Sequence, residues 1–193
     1  MTTCYNKYGQ LGIGGNNDQN VWVKSFIKDK VINIVCGEYN TMIITEKGEV
    51  WATGDNEYGQ FGIGYNERQN VWVKSQIKEK VIKVVCGYYH TMIITEKGEV
   101  WATGNNKCGQ LGIGNNENQN KWVKSNIKEK VIKIVCGGLH TMVLTEKGEV
   151  WATGNNKYGQ LGIGGNNDQN VWVKSFIKDK VINISSGLNY TSC

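Results

Sequence analysis

Residues 80–104 read KVIKVVCGYYHTMIITEKGEVWATG, and the stretch recurs at 30–54 as KVINIVCGEYNTMIITEKGEVWATG and at 130–154 as KVIKIVCGGLHTMVLTEKGEVWATG. The step is 50 residues each time, with neither insertion nor deletion. A fixed period of this size marks an array of supersecondary units, each too small to bury its own apolar faces. Residues 51–100 and 101–150 agree at 37 of 50 positions, and 6–34 and 156–184 are identical throughout, which points to recent duplication.

Each period holds four short apolar stretches, at 71–75, 80–87, 90–96 and 99–104 in one copy. They are rich in Val, Ile, Thr and Trp, the residues that suit strands. Alternation in the second stretch sets Ile82, Val84 and Cys86 on one face and Val81, Lys83 and Val85 on the other. The run Met92-Ile93-Ile94 is apolar on both faces, as a strand between stacked sheets requires. Gly98, in Glu96-Lys97-Gly98-Glu99, supplies the left-handed residue that closes a short hairpin loop. No helical period of useful length is present. The expected fold is all-β, with four-stranded antiparallel blades in about four 50-residue repeats. It forms a β-propeller that is either partial and open or small and closed. One repeat domain covers 1–193, with a partial start at 1–30, units at 31–80, 81–130 and 131–180, and a partial end at 181–193. Residues 1–7 align with 151–157, and 187–193 align with the start of a strand. Joined, the two ends would rebuild one blade short of the equivalents of 44–50.

The ordered residues Gly87, His90-Thr91, Gly98-Glu99-Val100-Trp101, Gly104-Asn105-Asn106, Gly109-Gln110-Leu111-Gly112-Ile113-Gly114 resemble the regulator of chromosome condensation repeat family. The resemblance covers essentially the whole chain and implies a β-propeller, in that family typically of seven blades. It also implies several functions, from nucleotide exchange on a small GTPase to ubiquitin-ligase assembly and light sensing, so fold alone does not choose among them. Asn40 and Tyr190 replace the motif histidine, and the chain has no proline. The family's photoreceptor motif Gly-Trp-Arg-His-Thr is here Gly87-Tyr88-Tyr89-His90-Thr91, which removes light sensing as an expectation. No repeat carries the inserted wedge on which exchange relies in the family.

Composition narrows the rest. Net charge is +5, carried by lysines interleaved with acids in runs such as KSQIKEK, so these read as solvated faces and no nucleic-acid partner is expected. With no long apolar run and no leader-like N-terminus, an intracellular protein, cytoplasmic or nuclear, without a membrane partner is expected. Of six cysteines, Cys36, Cys86 and Cys136 share one repeat position with Ser186, a slot expected to be buried and reduced. No C-x-x-C or ligand-spaced histidine suggests a metal site, and no cofactor is expected. Trp22, Trp72, Trp122 and Trp172 share one position and Trp51, Trp101 and Trp151 another, spacing that points to blade-to-blade packing. The polar loops 14–20, 64–70, 114–120 and 164–170 read as solvated turns, since no helix or Lys-Ser/Thr follows their glycines.

Repeats this similar make their differences informative. Side chains change most in the turn holding Tyr39, Tyr88, Tyr89, His90, Leu139 and His140, and in the loop holding Tyr58, Tyr65 and Arg68. On one rim of a propeller these turns would lie side by side, and Tyr and Arg are favoured in protein interfaces. The expected function is non-catalytic protein binding through Tyr39, Tyr88, Tyr89, His90, Leu139, His140, Tyr65 and Arg68. The histidines are expected to bond neighbouring backbone rather than act as acid or base. The alternatives are exchange or regulation of a small GTPase, or a fragment of a larger seven-bladed propeller. Self-association to complete the ring is a further expectation.

Overall fold

The computed structural model describes residues 2–193; Met1, the first residue of the partial starting unit, lies outside them. Sixteen strands and no helix form among the described residues. At the start, β1 (Thr2–Cys4) pairs with β2 (Gln19–Val23). The first complete sheet follows as β3 (Val31–Cys36), β4 (Asn40–Thr45), β5 (Val50–Gly54) and β6 (Gln69–Lys74). The second is β7 (Val81–Cys86), β8 (His90–Thr95), β9 (Val100–Gly104) and β10 (Gln119–Lys124). The third is β11 (Val131–Cys136), β12 (His140–Thr145), β13 (Val150–Gly154) and β14 (Gln169–Lys174). A last pair, β15 (Ser185–Ser186) and β16 (Thr191–Ser192), stands alone. Every sheet is antiparallel and pairs its strands in sequence order.

The two short end sheets do not pair with each other, so the molecule is an open arc of blades and not a small closed ring. Strand β4 and its copies are buried along their whole length, because each second strand is covered on both faces by neighbouring sheets. The apolar clusters accordingly lie between blades. Met42, Ile44, Phe61, Val81, Val84 and Trp122 share one, and Met92, Leu111, Val131, Ile134 and Trp172 share the next. Sequence alternation fails at the same place in each complete sheet, between Val31 and Asn33, Val81 and Lys83, and Val131 and Lys133. The register shifts between Val81 and Lys83, so Val81 and Val84 are both buried while Ile82 is 54% exposed. A bulge adds a residue to one strand and breaks its two-residue period.

Five of the seven tryptophans join the blades as their spacing suggests, while Trp22 is exposed and Trp51 belongs to none of the apolar clusters. Trp122 donates its indole N–H to Ser75 Oγ of the preceding unit at 2.6 Å, and Trp72 and Trp172 repeat the bond to Ser25 and Ser125. Gly62, at φ 62°, lies flat against the Trp122 ring, and any Cβ there would overlap it. Trp101 and Trp151 pack at the edges of the same clusters. The shared cysteine slot is more open than its neighbours suggest. Cys86 and Cys136 are half-buried, while Cys36, on the first complete blade with no full blade before it, is exposed.

Candidate functional site

The path of the strands separates two ends of every blade. The turns at 37–40, 87–90 and 137–140 and the loops at 55–68 and 105–118 gather at one end. The hairpins around Gly48, Gly98 and Gly148 gather at the other. That second end carries a grid of lysine–carboxylate pairs repeated from unit to unit: Lys80–Glu96 and Lys130–Glu146 at 2.8 Å, and Lys74–Glu49, Lys124–Glu99 and Lys174–Glu149 at 2.6 to 2.7 Å. These pairs are exposed, and each contributes little to stability.

The first end is different. Its loops are pinned from inside by a buried asparagine: Asn56 Oδ1 accepts from Phe61 N at 2.9 Å and its Nδ2 donates to Tyr65 O at 2.8 Å. Each loop also grips the next blade, with Thr103 Oγ1 donating to Gly59 O at 2.9 Å and Thr53 Oγ1 to Gly9 O at 2.8 Å. The turns are linked by backbone bonds from Tyr88 N to Gly138 O and from Gly138 N to Leu188 O. A rigid frame therefore presents side chains that differ from unit to unit.

On that frame the aromatic residues meet across blade boundaries. Tyr8 and Tyr39 stand 4.5 Å apart between ring centroids, and Tyr58 and Tyr89 repeat the pairing at 4.9 Å one unit later. Tyr88 meets Tyr89 edge-on at 6.0 Å, and Tyr5 meets Tyr8 at 6.2 Å. Arg68 reaches from the next loop to lie 4.6 Å over the Tyr8 ring. Its Nε donates to the buried Asp55 carboxylate at 2.9 Å, which fixes the guanidinium in place. The Glu38 carboxylate lies beside both Tyr39 and Tyr89. It raises the Tyr39 hydroxyl above its ordinary pKa, and burial followed by Glu38 pushes Tyr89 up to about 12. Both phenols are neutral donors at any physiological pH. One unit further on, Cys108 and Leu139 stand at the positions of Tyr58 and Tyr89, so the aromatic strip belongs to the first half of the arc.

Of the residues singled out in the sequence, Tyr39, Tyr88, Tyr89 and Arg68 come together, all accessible. Leu139 is half-buried one blade on, and Tyr65 is exposed but stands outside the ring contacts. His90 and His140 do not reach the surface, being 1% and 0% exposed. Nor do they bond their own backbone: His90 Nε2 lies 3.0 Å from Thr141 Oγ1, and His140 Nε2 3.0 Å from Thr191 Oγ1, each in the next unit. The physical reason is their place at the start of the fully buried second strand, where the imidazole turns between blades. The Thr141 hydroxyl already donates to Gln110 O at 2.8 Å, so His90 Nε2–H is the donor and Nδ1 is bare. Protonation would bury a second N–H with no acceptor, and desolvation pulls His90 down to about 3 and His140 to about 4. Burial of the sulfur also raises the Cys86 thiol to about 12 and the Cys136 thiol further, away from the thiolate form. Among the described residues, no cluster of His, Cys, Asp and Glu could hold a metal. Tyr8 is the contact that sequence reasoning missed. Its repeat position enters the sequence reading only as Tyr58, and its partner Tyr39 lies 31 positions on, in the next unit.

Stacked four-stranded blades with a shared loop rim define an arc of a β-propeller. The chain belongs to the regulator of chromosome condensation (RCC1) repeat family, whose models match residues 47–94, 97–144 and 147–193, and also 31–60, 81–110 and 131–160. Among solved structures it is similar to human WBSCR16, with a TM-score of 0.84 and 23% identity over 98% of this chain and 51% of that one. It is also similar to Prp20p of Saccharomyces cerevisiae, described with its binding to Gsp1p and histones, with a TM-score of 0.73 and 17% identity over 83% and 42% of the two chains. A third is yeast RCC1 (Prp20) bound by Kap60, with a TM-score of 0.78 and 19% identity over 88% and 43%. The chain thus spans about half the length of these structures. Among curated protein sequences no match is found.

Proposed function

We propose that the chain is a non-catalytic protein-binding module whose partner seats on the aromatic rim formed by Tyr8, Tyr39, Tyr58, Tyr88, Tyr89 and Arg68. The observation that carries this reading is the tyrosine pairing repeated at two successive blade boundaries, with Arg68 held over Tyr8 by Asp55. Rigid aromatic side chains and a fixed guanidinium lose little entropy on binding and concentrate interface energy. The opposite end offers repeated, internally satisfied ion pairs. A small GTPase is the second reading for the partner, favoured by the likeness to Prp20p, whose structure is described with Gsp1p binding.

The test is affinity capture from lysate with and without GTP, beside a Tyr88→Ala/Tyr89→Ala variant checked by circular dichroism. Loss of a captured protein in the variant supports the rim. Capture of a small GTPase that is released by GTP, followed by accelerated nucleotide release from it, establishes the second reading. Equal capture by both chains contradicts the rim as the binding surface.

A further inference from the structure

One joint is used three times along the arc. Trp72, Trp122 and Trp172 each donate to a serine of the preceding unit and lie on a glycine there: Ser25 with Gly12, Ser75 with Gly62, Ser125 with Gly112. Both halves of a fourth joint are present but apart. Trp22 is 68% exposed. The equivalent seat, at Gly162 and Ser175, opens into a cavity of about 410 Å³ lined by Leu161, Phe176 and Tyr190. The stretch 156–184 that builds this seat is identical to 6–34, which builds the seat holding Trp72. Trp22 itself stands in the stretch that, in its second copy, presents the seated Trp172. Each half is therefore seen forming the joint elsewhere in this molecule.

The end sheets complement each other in the same way. Ser186 pairs with Thr191 as Cys136 pairs with Thr141, so β15–β16 repeats the inner half of a blade. Cys4 pairs with Gln19 as Gly154 pairs with Gln169, so β1–β2 repeats the outer half. In the complete blade, His140 faces Gly154 and Thr141 faces Thr153. That register would set Tyr190 opposite Cys4 and Thr191 opposite Thr3.

We propose that a second copy of this chain docks end to end. Its Trp22 enters the Gly162–Ser175 seat and its β1 pairs with β16, completing a four-stranded sheet, and the two copies close on each other at both joints. The occupant must bring a tryptophan in this setting and a half-blade in this register, and this chain carries both. Each copy carries three complete sheets and two half-sheets, so two copies joined at both ends make a ring of eight blades, one more than the seven typical of the family. Pairing also removes two open sheet edges, which otherwise template aggregation. A head-to-tail contact that closes after two copies has two-fold symmetry, and one that fails to close makes a filament.

The experiment is sedimentation velocity on the 193-residue chain across a wide concentration range, with two variants. The expected species has twice the 21.6 kDa chain mass. Trp22→Ala should shift it to monomer with an unchanged far-ultraviolet spectrum, because Trp22 is exposed in the single chain and its loss leaves no internal cavity. With the other exposed cysteines, Cys36 and Cys193, changed to Ser, Tyr190→Cys should form a covalent pair with Cys4 of the other copy under oxidising conditions, giving one dimer band on a non-reducing gel. A monomer at every concentration, a dimer that persists in Trp22→Ala, or a ladder of higher bands would each overturn the proposal.

Discussion

His90 and His140 show how a family-like motif residue can be structural. Each imidazole is neutral, buried and spent on a threonine of the next blade. Their folded-state pKa values are lowered from the ordinary 6.5 to about 3 and about 4. Below pH 6.5 the unfolded chain takes up protons that the folded chain refuses, so their contribution is fully present above 6.5 and is lost as pH falls toward the folded values. The Glu49, Glu99 and Glu149 carboxyls are held below their ordinary 4.5 by the ammonium groups of Lys74, Lys124 and Lys174. Stability lost between pH 6.5 and 4.5 is therefore assigned to the histidines, on the order of 1 to 3 kcal/mol each by pH 4.5. Urea unfolding as a function of pH checks this. His90→Asn, which copies the residue the first unit carries as Asn40, should reduce that limb by about half, leaving the share of His140. A limb unchanged in the variant would place the protons elsewhere.

At the scale of the element, two glycines with the same backbone sign separate strain from packing. Gly98 closes its hairpin at φ 75° with open space where a Cβ would stand, and its N–H donates to Thr95 O at 2.8 Å. Gly98→Ala should cost about 1 to 2 kcal/mol, the strain of a left-handed alanine alone. Gly62, at φ 62°, meets the Trp122 indole, so Gly62→Ala adds overpacking at a blade joint and should cost about 3 kcal/mol or more. Chemical denaturation of the two variants gives the ranking, and equal losses would mean that the tryptophan joint yields freely. The hairpin glycine, the strands and the all-β class were legible from local pattern. The bulge that turns Ile82 outward was not, because alternation assumes an unbroken ladder. The pairing of Tyr8 with Tyr39 was not legible either, since it depends on which loop of one blade meets which turn of the next.

Across the whole molecule, strands touch others of their own unit or of the neighbouring one, the behaviour of a repeat array. That arrangement leaves the arc open, puts the repeated ion pairs at one end and collects the unit-to-unit differences at the other. The variable turn was visible in the sequence because nearly identical repeats expose their own exceptions, while burial of the two histidines was not. The most direct measurement on the rim is hydrogen–deuterium exchange of the chain with and without a captured partner. The expected result is new protection at the turns 37–40 and 87–90 and in the loops 5–10 and 55–68, with the hairpins at 46–49 and 96–99 unchanged. Protection confined to those hairpins and their ion pairs would contradict binding through the aromatic rim.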